Sequence, residues 1–375
     1  MSGDAARKGA CATRGANTRV CRVRTHANAW DFDAKVLSPT AHQSFLVREL
    51  SRPGDADIVW IGKRYGGFRV YASGRATADL FYTGQMHCRN LLFLMLVFPL
   101  LARDVHSSCA NCAAWNKPHA AFRIYGNTYY VGTDGLSSVL ITSGTGHVLI
   151  DGALPESAPL IVANIRSLGF RIEDVKLIVN SHVHFDHAGG IAELQRLSGA
   201  RVAASQWTAD VMKKGAAPRD DPQFGTIAPI ARVARVETLN DGDALSAGAV
   251  TVTAHLTPGH TPGGTSWTWQ SCENGRCLNL VYADSLSPVS ADGFRFSRRK
   301  EYPNAEDFER SFSFLDSTPC DILITPHPDA SGLWNRLEQR GSRPDALIDP
   351  TACRVLAETS RERLKKRLAT ESANK

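Results

Sequence analysis

The chain has 375 residues, 43% of them hydrophobic and 21% charged, which suffices for one large domain or two small ones. Its formal charge of +6 is confined to one end: residues 1–85 carry 13 Lys+Arg against 7 Asp+Glu, and residues 86–375 carry 30 of each. A body of balanced charge argues against a nucleic-acid partner, so none is expected.

Residues 1–85 are rich in Arg, Ala and Gly and show no long helix or strand period. Asp57-Ile-Val-Trp-Ile and Phe68-Arg-Val-Tyr-Ala are its two candidate short strands. Residues 91–101 form an unbroken apolar run of eleven residues, shorter than the roughly 20 that cross a bilayer. Met86-His-Cys-Arg-Asn precedes the run as a short basic segment, and the small residues Ala102, Ser107, Ser108 and Ala110 follow it. This is the pattern of a signal peptide. The sequence therefore predicts translation from Met86, with 1–85 an upstream stretch read in frame. It predicts a signal peptide at 86–110 and an exported, periplasmic domain at 111–375 with no stable membrane span. A real N-terminal extension or small domain over 1–85 is the alternative.

Of nine cysteines, six lie beyond the apolar run: Cys109, Cys112, Cys272, Cys277, Cys320 and Cys353. An even number behind a signal peptide is what disulfides in an oxidising compartment give. Cys272 and Cys277 flank Glu-Asn-Gly-Arg, a turn between two apolar strands, and are expected to staple a hairpin. Cys320 and Cys353 can tie the last strand to the C-terminal helix. For Cys109 and Cys112 a local bridge, an intermolecular bridge, free thiols and a redox or zinc motif all stay open.

From about residue 111 the pattern becomes regular. Phe122-Arg-Ile-Tyr and Thr128-Tyr-Tyr-Val-Gly read as strands. Ser138-Val-Leu-Ile-Thr and Gly146-His-Val-Leu-Ile-Asp read as a hairpin joined by Ser-Gly-Thr-Gly. Residues 157–168 have helical spacing, 175–180 strand character, and 188–197 helical spacing again. Arg201-Val-Ala-Ala-Ser is a short strand and 207–213 a helix. Residues 214–230, rich in Gly, Pro and Asp, form a loop that can border a site. Strands are then expected at 250–257, 265–269, 278–284 and 320–325, with helices at 304–315 and 349–369. No repeat is evident. Strands with helices, twice over, predict two packed sheets with helices outside, an α/β four-layer αββα sandwich. His255 reads as a packed or half-exposed strand residue, and His119 and His147 as surface residues.

Residues 181–190 read Ser-His-Val-His-Phe-Asp-His-Ala-Gly-Gly. His182, His184, Asp186 and His187 put four metal-type ligands into six residues at the end of a strand. Burying such groups unpaired is costly, and a shared metal removes the cost. Two more histidines follow strands directly: His260 in Thr257-Pro-Gly-His-Thr-Pro-Gly-Gly, and His327 in Thr325-Pro-His-Pro-Asp.

On these residues the chain resembles the metallo-β-lactamase superfamily. The phrases Ala283-Asp-Ser-Leu-Ser and Leu323-Ile-Thr-Pro-His-Pro, with the pairs Cys272/Cys277 and Cys320/Cys353, make it similar to the β-lactamases of class B, subclass 3. The resemblance extends over residues 111–375. It implies two zinc ions (Zn2+) per chain, one held by His182, His184 and His260 and the other by Asp186, His187 and His327. It implies hydrolysis of β-lactams by a zinc-bound hydroxide attacking the lactam carbonyl, with Asp186 as the catalytic residue, and hence resistance to penicillins, cephalosporins and carbapenems. It places Ser285 and Ser287 as hydroxyl donors to the substrate carboxylate, Gln223 in the pocket and Trp115 on its N-terminal wall. Asp284, which related hydrolases use to bridge two metals, is not a ligand in this subclass. Asp151 is expected to support the ligand loop through hydrogen bonds. The partner is a small-molecule β-lactam and the protein is expected to be a monomer. A lactonase or thioester hydrolase of the same fold is the alternative.

Overall fold

The computed structural model describes residues 109–373 apart from 299 and 301, together with the backbone of strands between residues 11 and 81. Residues 86–108, most of the 86–110 segment expected to be a signal peptide, lie outside the described residues. The chain divides into two compact units, residues 1–103 and 104–375.

In the first unit the described strands are β1 (Cys11–Thr13), β2 (Thr18–Arg24), β3 (Asp31–Leu37), β4 (Ser44–Glu49), β5 (Ile58–Arg64), β6 (Gly67–Tyr71) and β7 (Thr77–Phe81). They pair in chain order as one antiparallel sheet. The two strands expected from sequence fall in β5 and β6. The other five carried no visible period because strands of three to seven residues give alternation little room to show.

The second unit opens with a short helix, α1 (Cys112–Trp115), and two packed sheets follow. The first sheet runs from β8 (Phe122–Tyr125), β9 (Thr128–Tyr130), β10 (Val139–Ile141) and β11 (His147–Ile150) to β12 (Val175–Val179), β13 (Arg201–Ser205) and β14 (Val236–Leu239), neighbours in that order. The second sheet is β15 (Ala244–Ala247), β16 (Val250–Leu256), β17 (Thr265–Glu273), β18 (Arg276–Tyr282) and β19 (Ile322–Ile324). Strands β14 and β15 and the helix at Leu333–Glu338 are additions to the sequence reading; all are too short to show a period of their own.

Alternation along the strands builds the layers. Val148 and Ile150 of β11 point into a buried cluster with Trp267, Leu280, Tyr282 and Ile324, which lies between the sheets. Leu149, one residue out of phase, joins Ile178 and Val202 in a second cluster. That cluster is covered by α2 (Ala158–Ser167), α4 (Ile191–Ser198) and α5 (Gln206–Lys214); the label α3 is kept for Phe185–Ala188 at the site. Val281 and Leu323, on the far face of the second sheet, pack with Phe308 and Phe312 of α6 (Ala305–Ser317) and with Leu356 and Leu364 of the terminal α8 (Ala352–Ala373), α7 being Leu333–Glu338. Three apolar layers between four structural layers are the expected αββα sandwich. Local chemistry stops the helices on time: α4 and α5 end at Gly199 and Gly215, both in the left-handed region (φ 70° and 83°) that glycine occupies without strain.

Among the described residues three disulfides are present: Cys109–Cys112, Cys272–Cys277 and Cys320–Cys353. Cys272 and Cys277 are direct cross-strand neighbours in β17 and β18, so the hairpin staple stands. The bridge at Cys109 is local. Two histidines depart from the sequence reading. His147 is buried, not on the surface: its Nδ1 accepts the Ser143 N–H at 3.3 Å and its ring meets Phe170 edge-on. His119 is half-buried, stacked on Trp334 at 4.2 Å between ring centroids. His255 packs on Phe314 as expected. Among the described residues no helix is long and apolar enough to cross a membrane.

Candidate metal centre and active site

Four strand ends meet at one edge of the sandwich. After β12, residues 180–184 turn into α3, a single helical turn that carries Asp186 and His187. The β16–β17 turn brings His260, the end of β18 leads into 283–287, and β19 leads to His327. These segments are tied to one another through the backbone. Thr265 N–H donates to Ser181 C=O, Gly152 N–H to His187 C=O, and Ser137 N–H to Pro326 C=O, each at 2.8 Å. Gly264 is required where the β16–β17 turn passes Asp284, because a Cβ there would strike the Asp284 carboxylate and the Thr257 carbonyl.

Asp151 anchors the ligand loop. One carboxylate oxygen accepts from Asn180 Nδ2 at 2.8 Å and from Ser181 N–H at 2.7 Å; the other accepts from Ser181 Oγ at 2.6 Å and Tyr282 OH at 2.8 Å. The residue sits at φ 61°, a costly backbone conformation for a side chain other than glycine, which these four bonds help hold. Burial nevertheless raises its pKa, against the lowering by His187 and by its hydrogen bonds.

Five of the six residues expected to bind metal gather into two groups of three that share His182, and His327 adjoins the second group through Asp186. One ligand atom each from His182, His184 and His260 lies within 4.8 Å of the others, and the same holds for His182, Asp186 and His187. Asp186 Oδ2 lies 3.2 Å from His187 Nε2 and 3.4 Å from His327 Nε2. His182 links the triads, its ring centroid 4.9 Å from that of His184 and 4.4 Å from that of His187. All but His327 are buried; its side chain is 32% exposed.

Hydrogen bonds at the outer nitrogens aim four of the five rings; neither nitrogen of the buried His187 has such a partner. His182 Nδ1 donates to Asp284 Oδ1 at 2.7 Å, and His260 Nδ1 donates to the Ser287 carbonyl at 2.9 Å. His327 Nδ1 donates to the Gly135 carbonyl at 3.2 Å. His184 is turned the other way round, with Nε2 3.2 Å from Asp221 Oδ2. The nitrogens left for the interior are therefore unprotonated. His182 Nε2 is buried without a hydrogen-bond partner, a cost that a cation at this point removes. Three imidazole nitrogens, and a carboxylate with two imidazoles, suit zinc.

The electrostatics favour the neutral form of His182 and His260. Burial first, then the neighbouring His184, lowers the His260 pKa to about 3. Burial together with His187, His184 and His260 holds His182 well below the ordinary value. Burial pushes the Asp186 carboxyl up, but His187 and His327 more than offset it and hold it well below the usual range.

Three of the four remaining expected site residues, Gln223, Trp115 and Ser287, touch this cluster. Gln223 Nε2 lies 3.4 Å from His184 Nδ1 and 3.3 Å from His260 Nε2, over the first triad. The Trp115 ring is 5.0 Å from that of His327 at the mouth. Ser287 Oγ lies 3.2 Å from His260 Nδ1, and Ser285 is half-buried beside Asp284. Asp284 belongs to neither group of three and accepts from His182 Nδ1 instead. Asp221 is the residue that sequence reasoning missed: an aspartate in a loop of Gly, Pro and Asp has no spacing that marks it.

A family profile described as the metallo-beta-lactamase superfamily matches residues 131–273. A probable metallo-hydrolase of Burkholderia pseudomallei (strain 1710b) is 32% identical over 146 residues, spanning 34% of this chain and 45% of that protein. Two solved structures are more similar. The Rm3 metallo-beta-lactamase is 56% identical, with a TM-score of 0.69, over 71% of this chain and 100% of its own. MEM-A1, a subclass B3 metallo-beta-lactamase from a soil metagenome library, is 51% identical, with a TM-score of 0.68, over 70% and 100%. With the fold, the two triads and these likenesses in agreement, the chain belongs to the metallo-β-lactamase superfamily, among the enzymes of its subclass B3.

Proposed function

We propose that the protein hydrolyses the amide bond of β-lactam antibiotics with two zinc ions, and so confers resistance to penicillins, cephalosporins and carbapenems. His182, His184 and His260 hold one ion, and Asp186, His187 and His327 the other. The observation that carries this reading is the gathering of five side chains into two groups of three that share His182, with His327 against Asp186 and with His182 Nε2 buried and unpartnered. Zinc bound there supplies a Lewis acid for the lactam carbonyl, an ionised water near neutral pH and a positive charge for the leaving nitrogen.

The chain's own residues do the rest. Asp284, Asp221 and the Ser287 carbonyl fix the three rings of the first triad with their donor nitrogens inward. Asp186 stays ionised and orients the attacking water through its carboxylate. The hydroxyls of Ser285 and Ser287 donate to the lactam's carboxylate. Gln223 closes one side over His184 and His260, and Trp115 forms the wall beside His327. Asp284 is hydrogen-bonded to the outer nitrogen of His182, which favours this reading over a lactonase or thioester hydrolase with a bridging aspartate. Export through the 86–110 segment to the periplasm suits the three disulfides.

Rates with nitrocefin, a carbapenem and a homoserine lactone, with and without chelator, test the proposal. Zinc content near two per chain and chelator-sensitive opening of the two lactams are expected. Preferential turnover of the lactone, or lactam turnover that survives removal of zinc, overturns it.

A further inference from the structure

One buried carboxylate touches both a candidate metal ligand and the loop that covers it. The Asp221 side chain is inaccessible to solvent. Its Oδ2 and Oδ1 lie 3.2 Å and 3.4 Å from His184 Nε2, and Oδ1 also accepts the Gln223 backbone N–H at 2.7 Å. The Gln223 side chain then reaches back to His184 Nδ1 and His260 Nε2. Residues 221 to 224 form a tight turn closed by Phe224 N–H on the Asp221 carbonyl at 3.0 Å. A neutral imidazole carries one N–H, so donating Nε2–H to Asp221 leaves the Nδ1 lone pair facing the cluster. A ring flipped, or in the other tautomer, presents no lone pair there.

We propose that Asp221 is a positioning residue that sets the orientation and tautomer of His184 and, through the same carboxylate, seats Gln223 over the first triad, so that metal uptake and placement of the 218–226 loop are one coupled event. This rests on the reading of that triad as a metal site. The turn holds the carboxylate, the carboxylate holds the ring, and the ring holds the ion. The ion takes the lone pairs that the Gln223 amide meets, while the turn stays tied to the ring through the Asp221 carboxylate and the Gln223 backbone N–H, so ordering of ring and turn favour each other.

Cobalt(II) titration of the full-length protein, followed by the absorption bands of the bound ion, tests the first half. Asp221→Ala is expected to weaken uptake about 10- to 100-fold at one of two sites and to shift the bands. Asp221→Asn, which keeps an oxygen acceptor for both N–H groups, is expected to recover most of that loss. Hydrogen–deuterium exchange of the unaltered protein tests the coupling without any risk of misfolding: cobalt is expected to slow exchange in 219–226 as well as in 182–187. If Asp221→Ala takes up cobalt with unaltered affinity and bands, or if cobalt slows exchange only in 182–187, the proposal is overturned while the metal-site reading stands. If the unaltered protein takes up no cobalt, both fall.

Discussion

His327 is the partly exposed member of the cluster, so it can be removed with little loss of packing. His327→Ala is expected to lower metal content towards one ion per chain and turnover at least 100-fold, with the melting temperature of the metal-free protein nearly unchanged; metal analysis and thermal denaturation check this. The serines separate differently. Because the Ser287 carbonyl, present in any residue, holds His260, replacing Ser285 and Ser287 together with alanine is expected to spare metal binding. It should raise KM for carboxylate-bearing lactams about tenfold with a smaller change in kcat, measured by steady-state kinetics. The buried histidines also give the metal-free fold a pH dependence. The His260 pKa is lowered from 6.5 to about 3, so the unfolded chain binds the proton first as acid is added. The folded state's advantage is complete above about pH 6.5 and falls away towards pH 3, which urea denaturation across that window reads directly. Four of the six candidate ligands were legible because they stand within six residues. His260 and His327 were legible by their place after strands. Asp221 was not, because a carboxylate that works through a single long-range contact leaves no local pattern.

At the scale of elements, the terminal helix α8 is clamped to the segment that follows Ser287. The Glu371 carboxylate accepts the N–H groups of Phe296 and Ser297 at 3.1 Å and 2.9 Å and is met by Arg367 at 2.8 Å. Arg367 also donates to the Phe294 carbonyl and lies over the Phe296 ring. Glu371→Ala strips two backbone N–H groups of their acceptor. It is expected to cost about 2 kcal/mol in urea denaturation and to raise KM through the loosened 285–298 segment. None of this shows in the sequence, where residues 349–369 read only as a long terminal helix. The long strands and amphipathic helices were legible because burial repeats along them. The short strands Val236–Leu239 and Ala244–Ala247 were not, since their neighbours across the sheet, rather than their own pattern, decide them.

For the whole molecule, residues 104–375 form a compact unit that contains every residue of the candidate site. Protein started at Met86 is expected to match the 375-residue chain in kcat, KM and zinc content once processed, and N-terminal sequencing of the exported form is expected to find it cut before about residue 111. A loss of activity on removing residues 1–85 would show that the upstream sheet takes part. The sandwich itself was legible from the order of strands and helices, but the meeting of strand ends at one edge depends on sheet order, which chain order alone does not reveal. At that edge Ala291 N–H donates to the Pro222 carbonyl at 2.8 Å, which joins the Gln223 loop to the serine-bearing segment. The two lips of the entrance are thus sewn together. A change in one that admits a bulkier substrate drags the other with it, so a broadened substrate range should arise through paired, mutually dependent substitutions across the seam rather than through independent single steps.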